Sequence, residues 1–306
     1  MTEPAQTHDL ISATAARIGP SVAGLGRGWG HGSGVVIAEG RLLTSAHNLE
    51  GDRHTVVFGD GRRERATVAG IDSDLDLAVL SVPTEGAAPV DPVPNPEPPS
   101  IGTPVLALAN PGGRGLRVTL GHVCSEGQVF RGPGGRPIAG GIEHTAPLPR
   151  GSSGGPLVDV SGSLLGVNAV RRDGGLILAV PASAAVQKRI DALSRGEPPQ
   201  TIRLGVAIAP SWAARRMRRA VGLPERAGLL VRAVEENGPA ERSGIERGDL
   251  IVAAGGREVS DPDELYAALD GLDGHAATLD LVLVRGTDER HATVSFGDSS
   301  DTAESI

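Results

Sequence analysis

Short apolar runs separated by turn residues fill the chain from Gly34 to Val180, and this pattern limits the possible folds most strongly. Each run has the length and the Val, Leu and Ile content of a β-strand, and no stretch has a long helical period. Gly59-Asp60-Gly61 and Ser161-Gly162 have the composition of hairpin turns. The pattern predicts an all-β region, either a sandwich or a barrel. The runs are GVVIA, RLLTSA, HTVVFGDGRR, LAVLSV, TPVLALA, PLVDVSGSLLGVNAV and LILAV.

Composition adds limits on the class of protein. A chain of 306 residues has room for about two domains. Its single cysteine, Cys124, excludes an intrachain disulfide, and its net charge of -8 argues against nucleic acid as the main partner. No apolar window is long enough to span a membrane. The N-terminus, MTEPAQTHDLISATAARIGP, has no apolar core of a secretory signal. We therefore expect a cytoplasmic protein, or one of the cell envelope or secreted if an export segment is missing.

Beyond Val180 the pattern changes. The stretch ASAAVQKRIDALSRGEPPQ begins as a helix and ends in Gly and Pro, which predicts a helical linker. The unit that follows has both helix and strand signals. In SDPDELYAALDGL, Asp261 is placed as N-cap, Pro262 at the first helical position and Glu264 as its capping-box partner. This combination predicts a helix.

Two biased segments have modest interpretations. The run APVDPVPNPEPPS at 88–100 holds six prolines in thirteen residues, which predicts a stiff surface connection between two halves of the all-β region. ARRMRR at 214–219 places four arginines on a predicted helix. Membrane or nucleic-acid binding is one interpretation, but the negative total charge favours a solvated helix face.

The segment PRGSSGGPL at 149–157 raises the question of serine chemistry. It is either a surface turn or a loop whose backbone N–H groups face a reacting carbonyl. A nucleophilic Ser153 needs a base, most often histidine, and an acid that orients the base. His47 is a candidate base because LLTSAHNL places it just after an apolar strand.

Candidate acids lie in IDSDLDLAVL. If this segment is extended, Asp72, Asp74 and Asp76 share one face because they are spaced by two. Asp76 is favoured, since LAVL follows it directly and it stands where the chain enters the core.

GSSGG also matches the G-x-S-x-G nucleophile elbow of α/β-hydrolases. That elbow needs a helix after the serine, whereas PLVDVSGSLLGVNAV predicts a strand, a turn and a strand. Its chain order is also serine, acid, histidine. Here the order is histidine, acid, serine, which is that of chymotrypsin-like enzymes.

With these blocks in order, residues 32–183 resemble the protease domain of the HtrA family of chymotrypsin-fold serine peptidases. GSGVVIAEGRLLTSAHNL is similar to that family's histidine block, DSDLDLAVL to its aspartate block and GSSGGPLVDVSGSLLGVNAV to its serine block. NGPAERSGIERGDLIVAAGGREV resembles the PDZ domain attached to such proteases. The resemblance implies an all-β double β-barrel (chymotrypsin-like) protease domain followed by a small α+β PDZ domain. The implied organisation is an N-terminal segment (1–30), the protease domain (31–184), a helical linker (185–201), the PDZ domain (202–297) and a flexible tail (298–306).

By the same resemblance, His47 is the general base, Asp76 its orienting acid and Ser153 the nucleophile. The backbone N–H groups of Gly151 and Ser153 would form the oxyanion hole. The resemblance also implies pocket and peptide-binding residues: Leu148, Asn168 and Val170 for the substrate pocket; Leu204, Gly205 and Val206 for the carboxylate loop of the PDZ groove; Leu265 and Leu269 for its helical wall.

The implied function is a serine endopeptidase that cleaves partly unfolded or extended polypeptides after small or medium apolar residues, without metal or cofactor. Its PDZ domain would bind peptide C-termini. Relatives often form homotrimers through aromatic residues near the N-terminus, and this chain has none before Trp29, so the oligomer stays open. Pro149-Arg150 departs from the family pattern, which leaves a peptide-binding, chaperone-like protein with a latent protease domain as the alternative. An esterase would use the same triad.

Overall fold

The structure is a computed structural model that describes residues 4–26, 32–49, 51, 53–92, 98–132, 135–197, 202–272 and 277–297. The chain divides into two compact units, Met1–Pro199 and Gln200–Ile306. Residues 93–97 of the proline-rich run, residues 198–201 of the predicted linker and the predicted tail at 298–306 lie outside the described residues.

The first unit contains two closed six-stranded barrels, so the double β-barrel is confirmed. All pairings between neighbouring strands are antiparallel. The first barrel, in the order β1-β2-β3-β6-β5-β4, is built from β1 (Val22–Leu25), β2 (Gly32–Ala38), β3 (Arg41–Ser45), β4 (Arg53–Val57), β5 (Arg63–Asp72) and β6 (Leu77–Ser81). The second, in the order β10-β11-β12-β9-β8-β7, is built from β7 (Pro104–Ala109), β8 (Arg117–Arg131), β9 (Pro137–His144), β10 (Pro156–Asp159), β11 (Leu164–Arg171) and β12 (Ile177–Pro181).

Two helices flank the barrels in sequence, α1 (Pro4–Ile18) and α2 (Ala184–Ser194). Ser183 is the N-cap of α2, and its hydroxyl oxygen accepts the N–H of Val186. Its buried face, which includes Leu193, packs directly on β5. The approach is so close that a Cβ on Gly70 would lie 2.9 Å from the Leu193 Cα atom. The predicted helix therefore exists but packs on the first barrel. Strand β1 precedes residue 31 and α2 follows residue 184, so the first unit is wider than the protease domain predicted from the sequence.

The second unit has a mixed α+β structure. Its sheet has the order β13-β14-β15-β17-β18, with β16 paired to β15. The capping box predicted at Asp261 and Glu264 is present, and Pro262 begins the helix. The elements are β13 (Val206–Ala209), α3 (Ser211–Ala220), β14 (Leu229–Val234), α4 (Pro239–Arg242), β15 (Leu250–Ala254), β16 (Arg257–Glu258), α5 (Pro262–Asp270), β17 (Thr278–Arg285) and β18 (Asp288–Ser295).

Helix α3 departs from the predicted solvated arginine face at one position. Arg218 is buried, and its guanidinium donates to the carbonyls of Pro224 and Gly286, both at 2.9 Å. Arg215, Arg216 and Arg219 are exposed. Arg218 therefore joins α3 to two loops, because a buried guanidinium needs acceptors for its N–H groups.

Candidate active site

The side chains of His47 and Asp76 meet in the first barrel. His47 lies in a 3-10 turn that follows β3, and Asp76 ends the turn between β5 and β6. His47 Nδ1 lies 2.6 Å from Asp76 Oδ2, and the backbone N–H of His47 donates to Asp76 Oδ1 at 3.0 Å. Because a carboxylate only accepts hydrogen bonds, Nδ1 carries the proton and Nε2 presents its lone pair. This is the tautomer that a general base needs.

The burial of the two groups supports this arrangement. The Asp76 side chain is 2% exposed, whereas that of His47 is 40% exposed. The hydrogen bond to Asp76 raises the pKa of His47 above 6.5; burial opposes it, and the charge of Asp76 raises the pKa further. The Asp76 backbone lies in the left-handed region (φ 55°), and its carbonyl accepts the N–H of Ala46 at 3.0 Å. Asp76 is thus held against the histidine turn by side chain and backbone.

The other two aspartates of this block have different surroundings. Residues 73–76 form a turn, so the extended geometry expected for the three carboxylates does not occur. Asp72 Oδ1 accepts the N–H groups of Asp74 and Leu75, both at 3.1 Å, and its Oδ2 pairs with Arg189 of α2. All three aspartates are buried. Asp72 shapes the turn, and Asp76 bonds to the histidine.

Ser153 lies in the turn that precedes β10, which we call the serine turn (residues 149–155). Its Oγ donates to the Ala169 carbonyl at 3.0 Å. No hydrogen bond joins Ser153 to the His47 ring in the described part of the chain. The Ser153 carbonyl accepts Asn48 Nδ2 at 2.8 Å, and Asn48 directly follows His47. The structure therefore joins the serine turn to the histidine turn, with the hydroxyl rotated towards Ala169.

The backbone of the serine turn has the shape expected of an anion-binding loop. Gly151 has φ +82° and Gly154 has φ +87°, conformations that favour glycine. Gly155 N–H donates to the Ser152 carbonyl at 3.0 Å. Across the described residues, no hydrogen bond occupies the N–H of Gly151 or of Ser153. Both groups are available to a developing oxyanion.

A cavity of about 460 Å³ opens beside the serine turn. Leu148, Asn168 and Val170 all line it together with Ser153. Leu148 and Asn168 are buried, whereas Val170 is partly exposed. Gly151, expected in the oxyanion hole, and Ala169, which lies between the two expected residues of β11, also line the cavity. The other lining residues were not assigned to the pocket from the sequence, since their positions follow from the serine turn and the paired strands β11 and β12: Pro149, Arg150, Ser152, Arg171 and Ile177.

His144 supports the cavity wall from behind. It is fully buried at the end of β9, and its Nε2 lies 2.9 Å from Asn168 Oδ1. Asn168 Nδ2 donates to the carbonyls of Gly155 (2.9 Å) and Pro156 (3.1 Å), so its Oδ1 must accept and His144 Nε2 carries the proton. Burial lowers the pKa of His144 from 6.5 to about 4, partly offset by the bond to Asn168. The histidine is neutral at pH 7.

In the second unit, the residues assigned to the peptide groove lie around β13. Leu204 is buried, and Gly205 has φ +77°. Val206 begins β13, which pairs with β14 and, among the strands that the structure describes, with no other. Leu265 and Leu269 of α5 are each 3% exposed and pack in the core of the unit with Leu204. The two leucines therefore face the core.

Among the residues that the structure describes, no group of three or more His, Cys, Asp or Glu side chains is arranged to hold a metal ion. Over those same ranges, no helix is both long and apolar enough to cross a membrane.

Two known domain families match the chain. The trypsin-like peptidase domain matches residues 32–167, and the PDZ domain matches residues 230–283. The first match includes His47, Asp76 and Ser153, whereas the second excludes β13 and the residues assigned to the carboxylate loop.

Curated relatives cover both units. The chain is 34% identical over 265 residues to a probable periplasmic serine endoprotease DegP-like of Rhizobium meliloti (strain 1021), covering 84% of this chain and 51% of the relative. It is 34% identical over 277 residues to a putative serine protease HhoA of Synechocystis sp., covering 87% of this chain and 70% of that protein. The chain spans about half the length of the DegP-like relatives it matches. These are named as periplasmic, so the expectation of a cytoplasmic protein is wrong.

Solved structures agree in both fold and extent. The HtrA-type protease AlgW with a decapeptide superposes with a TM-score of 0.72 at 25% identity, covering 94% of this chain and 98% of that one. The serine endoprotease from Yersinia pestis gives a TM-score of 0.68 at 25% identity, covering 94% and 97%.

Proposed function

The chain belongs to the HtrA family of trypsin-like serine proteases that carry a PDZ domain, and on that premise we propose that it is a serine endopeptidase. The observation that carries the proposal is the His47–Asp76 pair, in which Nδ1 lies 2.6 Å from Oδ2 and the lone pair of the ring is left on Nε2. An imidazole in this tautomer removes the proton of a serine hydroxyl as that oxygen attacks a carbonyl.

The proposed reaction follows from these groups. Ser153 Oγ rotates away from Ala169, gives its proton to His47 Nε2 and bonds to the carbonyl carbon of the peptide. The charge on the carbonyl oxygen is stabilised by the N–H groups of Gly151 and Ser153. The imidazolium, stabilised by Asp76, then protonates the leaving amine as the C–N bond breaks. Water hydrolyses the acyl-enzyme by the same groups in reverse.

The cavity supports a preference for substrates with an apolar residue before the scissile bond. Leu148 supplies a buried apolar surface, and Val170 adds a second one at the cavity edge. Asn168 is bonded to His144 and to two backbone carbonyls, so it has a structural role beside its place in the wall. We propose cleavage after small or medium apolar residues of partly unfolded proteins.

The second unit is proposed to recruit such substrates. The edge of β13 that pairs with no described strand offers backbone groups to which an extended peptide can bond as an added strand. A peptide C-terminus would meet the loop of Leu204, Gly205 and Val206, where the positive φ of Gly205 turns the chain. Leu265 and Leu269 would support the groove from the core, against which Tyr266 and Ala268 also pack.

The relatives named periplasmic support a location in the cell envelope. The homotrimer implied by the family resemblance stays a prediction, which light scattering tests by measuring the molar mass.

The experiment that tests the activity is labelling by a fluorophosphonate, which reacts only with an activated serine. The full chain should be labelled and should degrade casein, whereas Ser153→Ala should do neither, since loss of the nucleophile costs about 10⁶-fold in turnover. An unlabelled full chain would contradict the proposal.

One observation favours the second candidate, a peptide-binding protein with a latent protease domain. Ser153 Oγ is bonded to the Ala169 carbonyl rather than to His47. If this is the resting state, labelling of the full chain alone should be slow, and a peptide that binds the second unit should accelerate it. Equal labelling rates with and without the peptide would rule out the latent protease, and the active endopeptidase would remain.

A further inference from the structure

The serine turn is held from the other barrel by two side chains of the histidine block that take no part in the triad. Ser33 of β2 donates its hydroxyl proton to the Gly151 carbonyl at 2.9 Å. Asn48, next to His47, donates Nδ2–H to the Ser153 carbonyl at 2.8 Å. Both donors lie in the first barrel, whereas both carbonyls lie in the turn before β10. We call Ser33 and Asn48 the carbonyl clamp.

The neighbours of the clamp determine which atoms donate. Ser33 Oγ accepts the N–H of Asn110 at 3.0 Å, which leaves its own proton for the serine turn. Thr44 Oγ1 donates to the Ser33 carbonyl at 2.7 Å and therefore accepts from Asn48 Nδ2, 3.1 Å away. The Asn48 amide thus uses one proton on Thr44 and the other on Ser153. Asn110 therefore orients the Ser33 hydroxyl, and Thr44 orients the Asn48 amide.

Two glycines leave the space that the clamp needs. A Cβ on Gly32 would lie 2.3 Å from both Cγ and Nδ2 of Asn48. A Cβ on Gly154 would lie 2.2 Å from the Ser33 carbonyl, and Gly154 also has φ +87°. The serine turn therefore lies in direct backbone contact with β2, and only glycine permits that approach.

Each clamped carbonyl belongs to a residue whose N–H group would bind the oxyanion, and it shares its peptide plane with the N–H of the following residue. The Ser153 N–H shares its peptide plane with the Ser152 carbonyl, which accepts a hydrogen bond from the Gly155 N–H. This bond already restrains the orientation of the Ser153 N–H. Gly151 has no such restraint on its own N–H, and a glycine rotates easily about its two dihedrals. The bond from Ser33 to the Gly151 carbonyl restricts that rotation from one side, and Asn48 restrains the serine turn from the other.

We propose that Ser33 and Asn48 are positioning residues that hold the N–H groups of Gly151 and Ser153 in the orientation that binds the oxyanion. The inference rests on the proposed peptidase function and adds the residues that keep the oxyanion hole open. Neither residue lines the cavity beside the serine turn. Their effect belongs to the transition state, where charge develops on the carbonyl oxygen, and ground-state binding of a peptide should be little changed.

The test uses the full chain with Asn48→Leu and Ser33→Ala, which remove the two side-chain donors. The backbone N–H of Ser33, which donates to the Ser153 carbonyl at 2.9 Å, remains in both variants. Thr84→Val is the matched control, because the Thr84 hydroxyl also accepts a backbone N–H in the first barrel (Gly40, 2.9 Å) and is also buried. Gly32→Ala is a further variant that keeps both donors but displaces the Asn48 amide. For each variant, kcat and KM on a chromogenic peptide, the affinity for a peptide boronic acid and the thermal unfolding midpoint are measured. The boronic acid forms a tetrahedral adduct that places an oxygen where the oxyanion would lie.

We expect Asn48→Leu, Ser33→Ala and Gly32→Ala to lower kcat and boronic acid affinity by about 10- to 100-fold, with KM within about twofold. Thr84→Val should stay within about twofold of wild type. Wild-type kcat and boronic acid affinity in folded Asn48→Leu would overturn the inference, as would an equal loss in Thr84→Val. If Ser33→Ala does not fold, the half-buried Asn48 carries the test. A wild-type chain that is inactive and unlabelled would refute the proposed function, whereas an active wild type with active variants refutes the clamp alone.

Discussion

His144 should make the first unit sensitive to acid, and the structure sets the size of the effect. The imidazole is fully buried, its Nε2–H is used by Asn168, and its Nδ1 has no hydrogen-bond partner in the described residues. Protonation would therefore bury a charge and an unpaired donor together. These conditions lower the pKa of His144 from 6.5 to about 4. Each tenfold change in proton affinity corresponds to about 1.4 kcal/mol, so the total is about 3 kcal/mol.

The direction follows from comparing the folded and unfolded states. Below pH 6.5 the unfolded chain binds a proton on His144 that the folded chain does not bind until about pH 4. The stabilisation by neutral His144 is complete above pH 6.5 and is lost as the pH falls towards 4. His47 acts in the opposite sense, because its raised pKa favours the folded state at acid pH and that contribution is lost as the pH rises.

The assay is urea unfolding of the first unit between pH 8 and pH 4, in wild type and in His144→Gln. Glutamine cannot titrate, and its amide can still donate to Asn168. The contribution of His47 is common to both proteins and cancels in their difference. Wild type should lose about 3 kcal/mol of unfolding free energy relative to His144→Gln between pH 6.5 and pH 4. Ile142→Val, a core change on the same strand, should cost about 1 kcal/mol at every pH.

The reasoning would be refuted by parallel pH profiles for wild type and His144→Gln. Carbon–proton NMR of the imidazole ring gives a direct check on the same group. A His144 signal that titrates at 6.5 in the folded chain would show that burial does not control its proton affinity.

Two further predictions concern the acid of the site and the second unit. Asp76→Asn should lower kcat by about 10⁴-fold. It should also move the acid limb of the kcat/KM profile to lower pH, because Asp76 raises the pKa of His47. An acid limb at the wild-type pH would contradict the pairing. Arg285→Ala should lower the urea midpoint of the second unit more than Arg226→Ala does. Arg285 donates two hydrogen bonds of 2.7 and 2.9 Å to the buried Asp249, whereas Arg226 pairs with the exposed Glu289. Equal midpoints in the two variants would show that the Arg285–Asp249 pair adds no stability.

Features that depend on neighbouring residues in the chain were predictable from the sequence. The capping box at Asp261 and Glu264 is confirmed, because its hydrogen bonds join residues three apart. Ser161-Gly162 joins β10 and β11, as the turn composition predicts. The rejection of a nucleophile elbow also agrees with the structure, since Ser153 is followed by strand β10 rather than a helix. Each of these is determined within one turn or one strand.

Other expectations were wrong or incomplete because they depended on distant contacts. Alternation placed Asp72, Asp74 and Asp76 on one face, but the turn at 73–76 separates them, and Arg189 from α2 pairs with Asp72. Helix α2 was expected as a linker, yet it packs on β5, because Gly70 leaves room for Leu193. The burial of Arg218 depends on carbonyls at Pro224 and Gly286. No local pattern contains these partners.

The sequence by itself determined many of the strands, several turns, the order of the histidine, aspartate and serine blocks and, through these blocks, the family. Hydrophobic periodicity and turn chemistry act over a few residues, so they can be read along the chain. Only the tertiary structure decided that Asp76 bonds to His47, that the Ser153 hydroxyl rests on Ala169 and that Ser33 and Asn48 reach the serine turn. Contact between the two barrels brings together residues such as Ser33 and Gly151, which are 118 positions apart. The hydrogen bonds of a catalytic site depend on such contacts in space rather than on sequence spacing.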